Sequence, residues 1–187
     1  KYYGLDEVAE FWHQVVKINN YQKRRFALKI INELNGTIKS KKIGILGWAF
    51  KKDTNDSRES AAIYIANDLL DEGADLFVYD PKVEKDRIMN DLKTLLQSNN
   101  ESKNEIESKL NRVNVVSDYK MCFDQSSCIS ILTEWDEFKA YDWEKIYKKT
   151  IKPTYIFDGR NILEIEKIKK IGFNYIGPVS YTHLTLP

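Results

Sequence analysis

Three cations in one short stretch, Lys51, Lys52 and Arg58, have the residue types and spacing to do chemistry. They follow an apolar run, Lys42–Trp48, and precede a helical pattern beginning near Glu59. That order predicts a strand, a loop and a helix N-terminus. In open α/β sheets, ligands sit where strand C-terminal ends meet helix N-termini. A helix start also offers unpaired N–H groups and a positive dipole end, which suit a phosphate. The expected ligand of this loop is a phosphorylated molecule or a nucleotide. Paired lysines are ordinary on a solvated face, but a cation before a helix is disfavoured unless an anion is close, which singles out Arg58. Asp53, Asp56 and Ser57 read as helix-capping candidates. Phe50 adjoins the charged loop and could stack on a base, whereas Trp48 reads as core.

A second stretch, Phe157-Asp158-Gly159-Arg160-Asn161, repeats the pattern at the end of another predicted strand, with Gly159 read as a tight turn. Arg160 would then project over the same sheet edge as Lys51. A guanidinium there can grip a phosphate or a planar base through paired donors; a surface pair with Asp158 is the alternative. Thr133-Glu134-Trp135 falls at that edge too, shaping a pocket or buttressing the loops. Gly44-x-x-Gly47 followed by Asp80 invites a dinucleotide-binding reading, but the third glycine is missing and Trp48 and Phe50 fill the turn. Asp80 also lies farther on than the usual ~20 residues, so ordinary NAD binding by this turn is not expected. Asp80-Pro81 reads as a strand exit.

Short apolar strands alternating with amphipathic helices must position these residues. The predicted strands are Lys42–Trp48, Asp75–Tyr79, Val113–Val116, Cys128–Leu132, Tyr155–Phe157 and Tyr175–Ile176. The predicted helices are Glu59–Glu72, Lys85–Leu96, Ile106–Leu110, Tyr119–Gln125, Asp142–Lys149 and Ile162–Lys170, with Gln97–Lys103 as a polar loop. This alternation predicts a Rossmann-like, doubly wound α/β fold with a mostly parallel sheet. Continuous apolar runs such as Ile43–Leu46 fit strands covered on both faces. Ahead of the sheet, about Leu5–Asn35 has helical periodicity with apolar residues on more than one face and Gly36 as its C-cap. Such a helix wants partners on several sides, so it is expected to connect or to self-associate. The expected organisation is a helix within 1–38, an α/β domain over 39–179, and a tail over 180–187 that continues no pattern and could be non-native.

With 42% hydrophobic and 12% aromatic residues the chain can build a core. Its 29 basic and 28 acidic residues nearly cancel, giving no global case for nucleic acid or an acidic membrane surface. No apolar run approaches the ~20 residues that span a bilayer. Lys1-Tyr2-Tyr3-Gly4 lacks a signal-peptide stretch and an initiator Met, so a piece of a longer protein is expected. Cys122 and Cys128 have no metal-type partner set, since the histidines are His13 and His183; they read as thiols of a reducing compartment.

Several of these segments together resemble the C-terminal half of the UDP-glucose 6-dehydrogenases, within the UDP-glucose/GDP-mannose dehydrogenase family, particularly the animal-like form. They are Tyr21-Gln22-Lys23-Arg24-Arg25-Phe26, Lys42–Phe50, Lys51–Ser60, Asp71-Glu72-Gly73-Ala74, Tyr79-Asp80-Pro81-Lys82, Thr133-Glu134-Trp135-Asp136 and Phe157-Asp158-Gly159-Arg160, in order over about residues 5–178. The resemblance implies a UDP-sugar-binding domain behind the end of a central dimerisation helix, in a cytoplasmic dimer or hexamer that oxidises UDP-glucose to UDP-glucuronate with two NAD⁺. It implies that Phe50, Lys51 and Arg160 contact the UDP-sugar and that Arg58 reaches NAD. The family's nucleophilic cysteine, Gly-rich NAD fingerprint and catalytic Lys and Asp lie upstream of this stretch, and Cys122 and Cys128 do not match that cysteine. The chain alone is therefore expected to be inactive, with no catalytic residue and no metal site. Trp48 stands where a Phe is common, and Asn55 where a Gly is common, Asn tolerating a left-handed backbone. Another nucleotide-sugar dehydrogenase, or a non-catalytic nucleotide-binding or oligomerisation module, is the alternative.

Overall fold

The structure, a computed structural model, describes residues 3–177. A long helix α1 (Asp6–Glu33) leads into β1 (Lys42–Leu46), α2 (Ala61–Asp71), β2 (Asp75–Tyr79), α3 (Lys85–Ser98), α4 (Lys103–Leu110) and β3 (Val113–Val115). A 3₁₀ turn (Tyr119–Cys122) crosses to β4 (Cys128–Ile131), followed by α5 (Asp136–Lys139), α6 (Trp143–Lys149), β5 (Tyr155–Asp158), α7 (Ile165–Ile171) and β6 (Asn174–Ile176). The strands form one parallel sheet in the order β3-β2-β1-β4-β5-β6. This is the doubly wound arrangement expected from the alternation. The first three strands step away from β1 in one direction and the last three step away in the other. The chain therefore reverses between β1 and β4, and the loops leaving those strands flank a crevice, the usual ligand position in such sheets.

The central strands are nearly continuous apolar runs because both faces are covered. Every residue of β4 is buried, as are Ile43, Ile45 and Leu46 of β1. Phe123, Phe138 and Phe157 are wholly buried beside them, with Trp48, the expected core tryptophan. Gly44 admits the 3₁₀ turn, since a Cβ there would lie 2.4 Å from the Cys122 carbonyl oxygen. Both cysteines are buried and unpaired, and burial pushes each thiol well above its ordinary pKa. Among the described residues no helix is long and apolar enough to cross a membrane, and no cluster of side chains has a metal-binding arrangement.

Helix α1 is two-natured. Its C-terminal half packs on α2 and buries Ala27, Ile30 and Ile31. Its N-terminal half exposes Leu5, Val8, Phe11, Trp12 and Val16, with the Phe11 and Trp12 rings edge to face at 5.7 Å.

Local hydrogen bonding moved several element boundaries. α2 starts at Ala61 rather than Glu59 because Ser60 caps it, accepting from the Ala62 N–H, so Asp53, Asp56 and Ser57 are not its caps. The left-handed residues of that loop are Asp53 (φ 64°) and Glu59 (φ 57°), not Asn55. α7 starts at Ile165 rather than Ile162 because Asp158 captures the Ile162 and Leu163 N–H groups at 2.9 Å each. Much of the expected loop Gln97–Lys103 is helix end: α3 runs to Ser98, and Ser102 with Glu105 forms a capping box that starts α4 at Lys103. Tyr119–Gln125 is a single 3₁₀ turn ending at Cys122, and the short α5 has no periodic signature. Gly159 serves close approach rather than a left-handed turn, since a Cβ there would sit 3.0 Å from the Ile131 carbonyl oxygen. The anticipated tail at 180–187 lies outside the described residues.

Candidate functional site

The loop after β1 leaves through Gly47 (φ 93°), where a Cβ would lie 2.4 Å from the Thr133 Cβ. A non-glycine residue would clash as well as strain the backbone. The next two N–H groups, of Trp48 and Ala49, donate to the Asp80 carboxylate at 2.6 and 2.9 Å. The Thr133 hydroxyl donates to the Ala49 carbonyl at 2.6 Å. The loop then closes on itself, with the Phe50 N–H donating to the Asp56 carbonyl at 2.8 Å. At its far end the buried Ser57 hydroxyl donates to Asp91 on α3, which also accepts from the Trp48 indole at 3.1 Å. Phe50 is left outside, an exposed aromatic ring at 51%.

Arg160, from the loop after β5, reaches across to two other loops. Its Nε donates to the Leu132 carbonyl at 2.8 Å, its terminal nitrogen donates to the Phe50 carbonyl at 3.0 Å, and Glu134 lies 3.3 Å away. From Arg160, Asp158 receives the backbone N–H and not the guanidinium, so the surface-pair alternative does not hold for the side chain. Glu134 also accepts from the Lys52 N–H at 3.4 Å, and the Lys52 ammonium pairs with Asp136 at 2.7 Å. Thr133 and Trp135 therefore act as buttresses, while Glu134 faces the crevice.

These loops and the C-terminal half of α1 enclose a groove of about 640 Å³. Phe50, Lys51 and Arg160 all line it, together with Lys23, Arg25, Phe26 and Lys29 from α1. Five cations thus face the groove against two carboxylates, Glu59 and Glu134. Lys23 lies 4.0 Å from Glu59 and 3.7 Å above the Tyr64 ring, and burial holds its pKa below the usual lysine value. The groove suits an elongated anion with a planar end. None of its described lining residues is Cys, His, Ser or Tyr.

Arg58 is not in that groove. It is clasped by Asp56, whose carboxylate accepts from Nε and a terminal nitrogen at 2.9 and 2.7 Å, and this pairing holds the Asp56 carboxyl far below the usual range. Asp56 is thus the anion that Arg58 needs. Arg58 instead lines a neighbouring cavity with Lys82 and Arg87. The α1 residues were invisible as site residues in the sequence. In the sequence Lys23-Arg24-Arg25 lies among the apolar residues of a helix, and only the packing of α1 on α2 brings Lys23 and Arg25 to the groove.

The dinucleotide fingerprint is also resolved. Asp80 sits where such folds bind ribose hydroxyls. Here it accepts the N–H groups of Trp48, Ala49, Lys82 and Val83 and the Trp135 indole. With its acid filled by the protein's own donors and Gly44 packed on the 3₁₀ turn, this turn does not fit NAD.

Strand order and a cationic groove at the switch point define a Rossmann-like nucleotide-binding domain. More narrowly, residues 44–165 match the UDP binding domain of the UDP-glucose/GDP-mannose dehydrogenase family, and the chain belongs to that family. It is 47% identical over 172 residues to the UDP-glucose 6-dehydrogenase of Drosophila melanogaster, which covers 91% of this chain and 35% of that one. The Bos taurus UDP-glucose 6-dehydrogenase is 48% identical over 173 residues, covering 91% and 34%. The chain thus spans about a third of the length of these curated relatives. A UDP-glucose dehydrogenase structure from the archaeon Pyrobaculum islandicum superposes with a TM-score of 0.61 at 26% identity, covering 88% of this chain and 31% of the other. A UDP-N-acetyl-mannosamine dehydrogenase from Staphylococcus aureus shares the fold, with a TM-score of 0.59 at 22% identity over 87% and 32%.

Proposed function

We propose that the groove holds the UDP of UDP-glucose, and that this chain is the UDP-sugar-binding part of an NAD-dependent UDP-glucose 6-dehydrogenase producing UDP-glucuronate. The observation that carries the reading is the convergence of Phe50, Lys51 and Arg160 on one groove from loops 110 residues apart in sequence. Phe50 offers a ring face for the uracil. Lys51 supplies charge to the diphosphate, and Arg160 ties the two loops around it. Binding energy from the remote UDP would orient the sugar carbon towards reacting groups supplied by another part of the enzyme.

NAD belongs to that reading as the hydride acceptor, held mainly outside these residues. The Arg58 cavity, with Lys82 and Arg87, supports a contact to its phosphates. The exposed apolar face of α1 supports self-association, as a helix within 1–38 joined to a domain over 39–179 would allow. The two unpaired cysteines support a cytosolic setting. Calorimetric titration of the chain with UDP, UMP and uridine tests the groove. UDP should bind at least about tenfold more tightly than UMP, roughly 1.4 kcal/mol for the second phosphate. Equal affinity for UDP and uridine would rule out the diphosphate contact.

A further inference from the structure

We propose that Asp80 is an internal anion that positions the nucleotide loop, taking the place in the β1 turn that a dinucleotide would otherwise fill. Its carboxylate ties together three separate segments. Oδ2 accepts from Trp48 N at 2.6 Å, Ala49 N at 2.9 Å and the Trp135 indole at 3.1 Å, while Oδ1 accepts from Lys82 N at 2.8 Å and Val83 N at 2.9 Å. Five donors converge on one side chain, and four of them are backbone groups. The turn after β1, the exit from β2 and the loop after β4 are therefore referenced to one carboxylate.

The connection to the groove is one residue long. Ala49 is fixed at both ends, its N–H by Asp80 and its carbonyl by Thr133. The following residue is Phe50, whose carbonyl is gripped by Arg160. With the Ala49 peptide held, the direction of Phe50 and Lys51 into the groove is set by Asp80, which does not itself line the groove. In an ordinary dinucleotide fold the turn N–H groups and the acid face the ligand. Here they face each other, so the nucleotide is displaced to the α1 side of the turn. Asp80 touches no ligand in this scheme. It is a positioning residue.

This inference rests on the UDP reading of the groove. The test is UDP affinity, measured by calorimetry on wild type, Asp80→Asn and a control, Leu92→Ala. Leu92 is fully buried on α3, so its truncation lowers stability without removing any hydrogen-bonding group that holds the loop. An Asn at 80 presents an NH₂ group to donors in either orientation, so the clasp opens on one side. The expected result is about a tenfold or greater loss of UDP affinity in Asp80→Asn and a change under twofold in Leu92→Ala, at comparable melting temperatures. Equal affinities in all three proteins, or equal losses in both variants, would overturn the positioning role. A wild-type protein that ignores UDP would overturn the underlying reading and the inference with it. If Asp80→Asn does not fold, Trp135→Phe removes a single donor. It should cost about threefold in UDP affinity, and no change there would refute the proposal.

Discussion

Arg160 can act through charge or through its fork, and two substitutions separate these roles. In the structure it spends one nitrogen on the Leu132 carbonyl (2.8 Å) and another on the Phe50 carbonyl (3.0 Å), with Glu134 at 3.3 Å. A lysine keeps the charge, but its single ammonium cannot bridge two carbonyls held by a planar fork. Charged hydrogen bonds contribute roughly 1.5–3 kcal/mol each when shielded. The side chain is 33% exposed, so water recovers part of that loss. About 1–2 kcal/mol for the strap is a reasonable sum, or roughly 2–8 °C in melting temperature for a chain this size. Arg160→Lys should therefore melt lower and bind UDP about fivefold more weakly, because Phe50 is no longer held. Arg160→Ala also loses the charge at the groove and should bind about 30-fold more weakly, close to 2 kcal/mol. Titration calorimetry at two salt concentrations checks this. The affinity of Arg160→Ala should depend less on salt than that of Arg160→Lys. Wild-type affinity within twofold in both variants would refute both the strap and the assignment of Arg160 to the groove.

Gly47→Ala should destabilise the domain by about 3 kcal/mol or more, because a Cβ at φ 93° would sit 2.4 Å from Thr133; a melting temperature unchanged within a degree or two would contradict that packing. Replacing both Phe11 and Trp12, 65% and 62% exposed on α1, by Glu should abolish self-association in light scattering with little change in the far-UV helical signal; an unchanged mass would mean another surface is used. Tyr64 and Tyr79 are pushed up to about 12, first by burial and then by the nearby carboxylates Glu59 and Glu137. A phenol raised in the folded state ionises first in the unfolded chain, so its contribution is intact below pH ~10 and is lost as pH rises from about 10 to 12. Tyrosinate absorbance should show these two ionising late in the native protein, and Tyr64→Phe should reduce the alkaline loss of stability.

The alternation of apolar strands and amphipathic helices was legible because both periods come from side-chain burial against one sheet. β2 occupies the predicted Asp75–Tyr79, and the other strands fall within a residue or two of their expected ends. Helix starts were less legible. Carboxylates and hydroxyls acting over a few residues decide them, as Ser60 does for α2 and Asp158 for α7, and several residues compete for each role. The left-handed position of the cationic loop fell at Asp53 and Glu59 instead of Asn55 for a related reason. Loop closure by Asp56 and Ser57, more than residue preference, sets those angles.

By itself the sequence determined the fold class, the parallel sheet and the sheet edge at which the loops carrying Phe50, Lys51 and Arg160 emerge, because each follows a strand whose C-terminal end must face that edge. Tertiary structure decided what those residues do to one another. It turned the α1 cations into the groove, assigned Arg58 to Asp56 and a separate cavity, and closed the dinucleotide turn around Asp80. The physical reason is range. Burial patterns are written locally along the chain, whereas the partner of a charge is whichever group packing brings within about 3 Å of it.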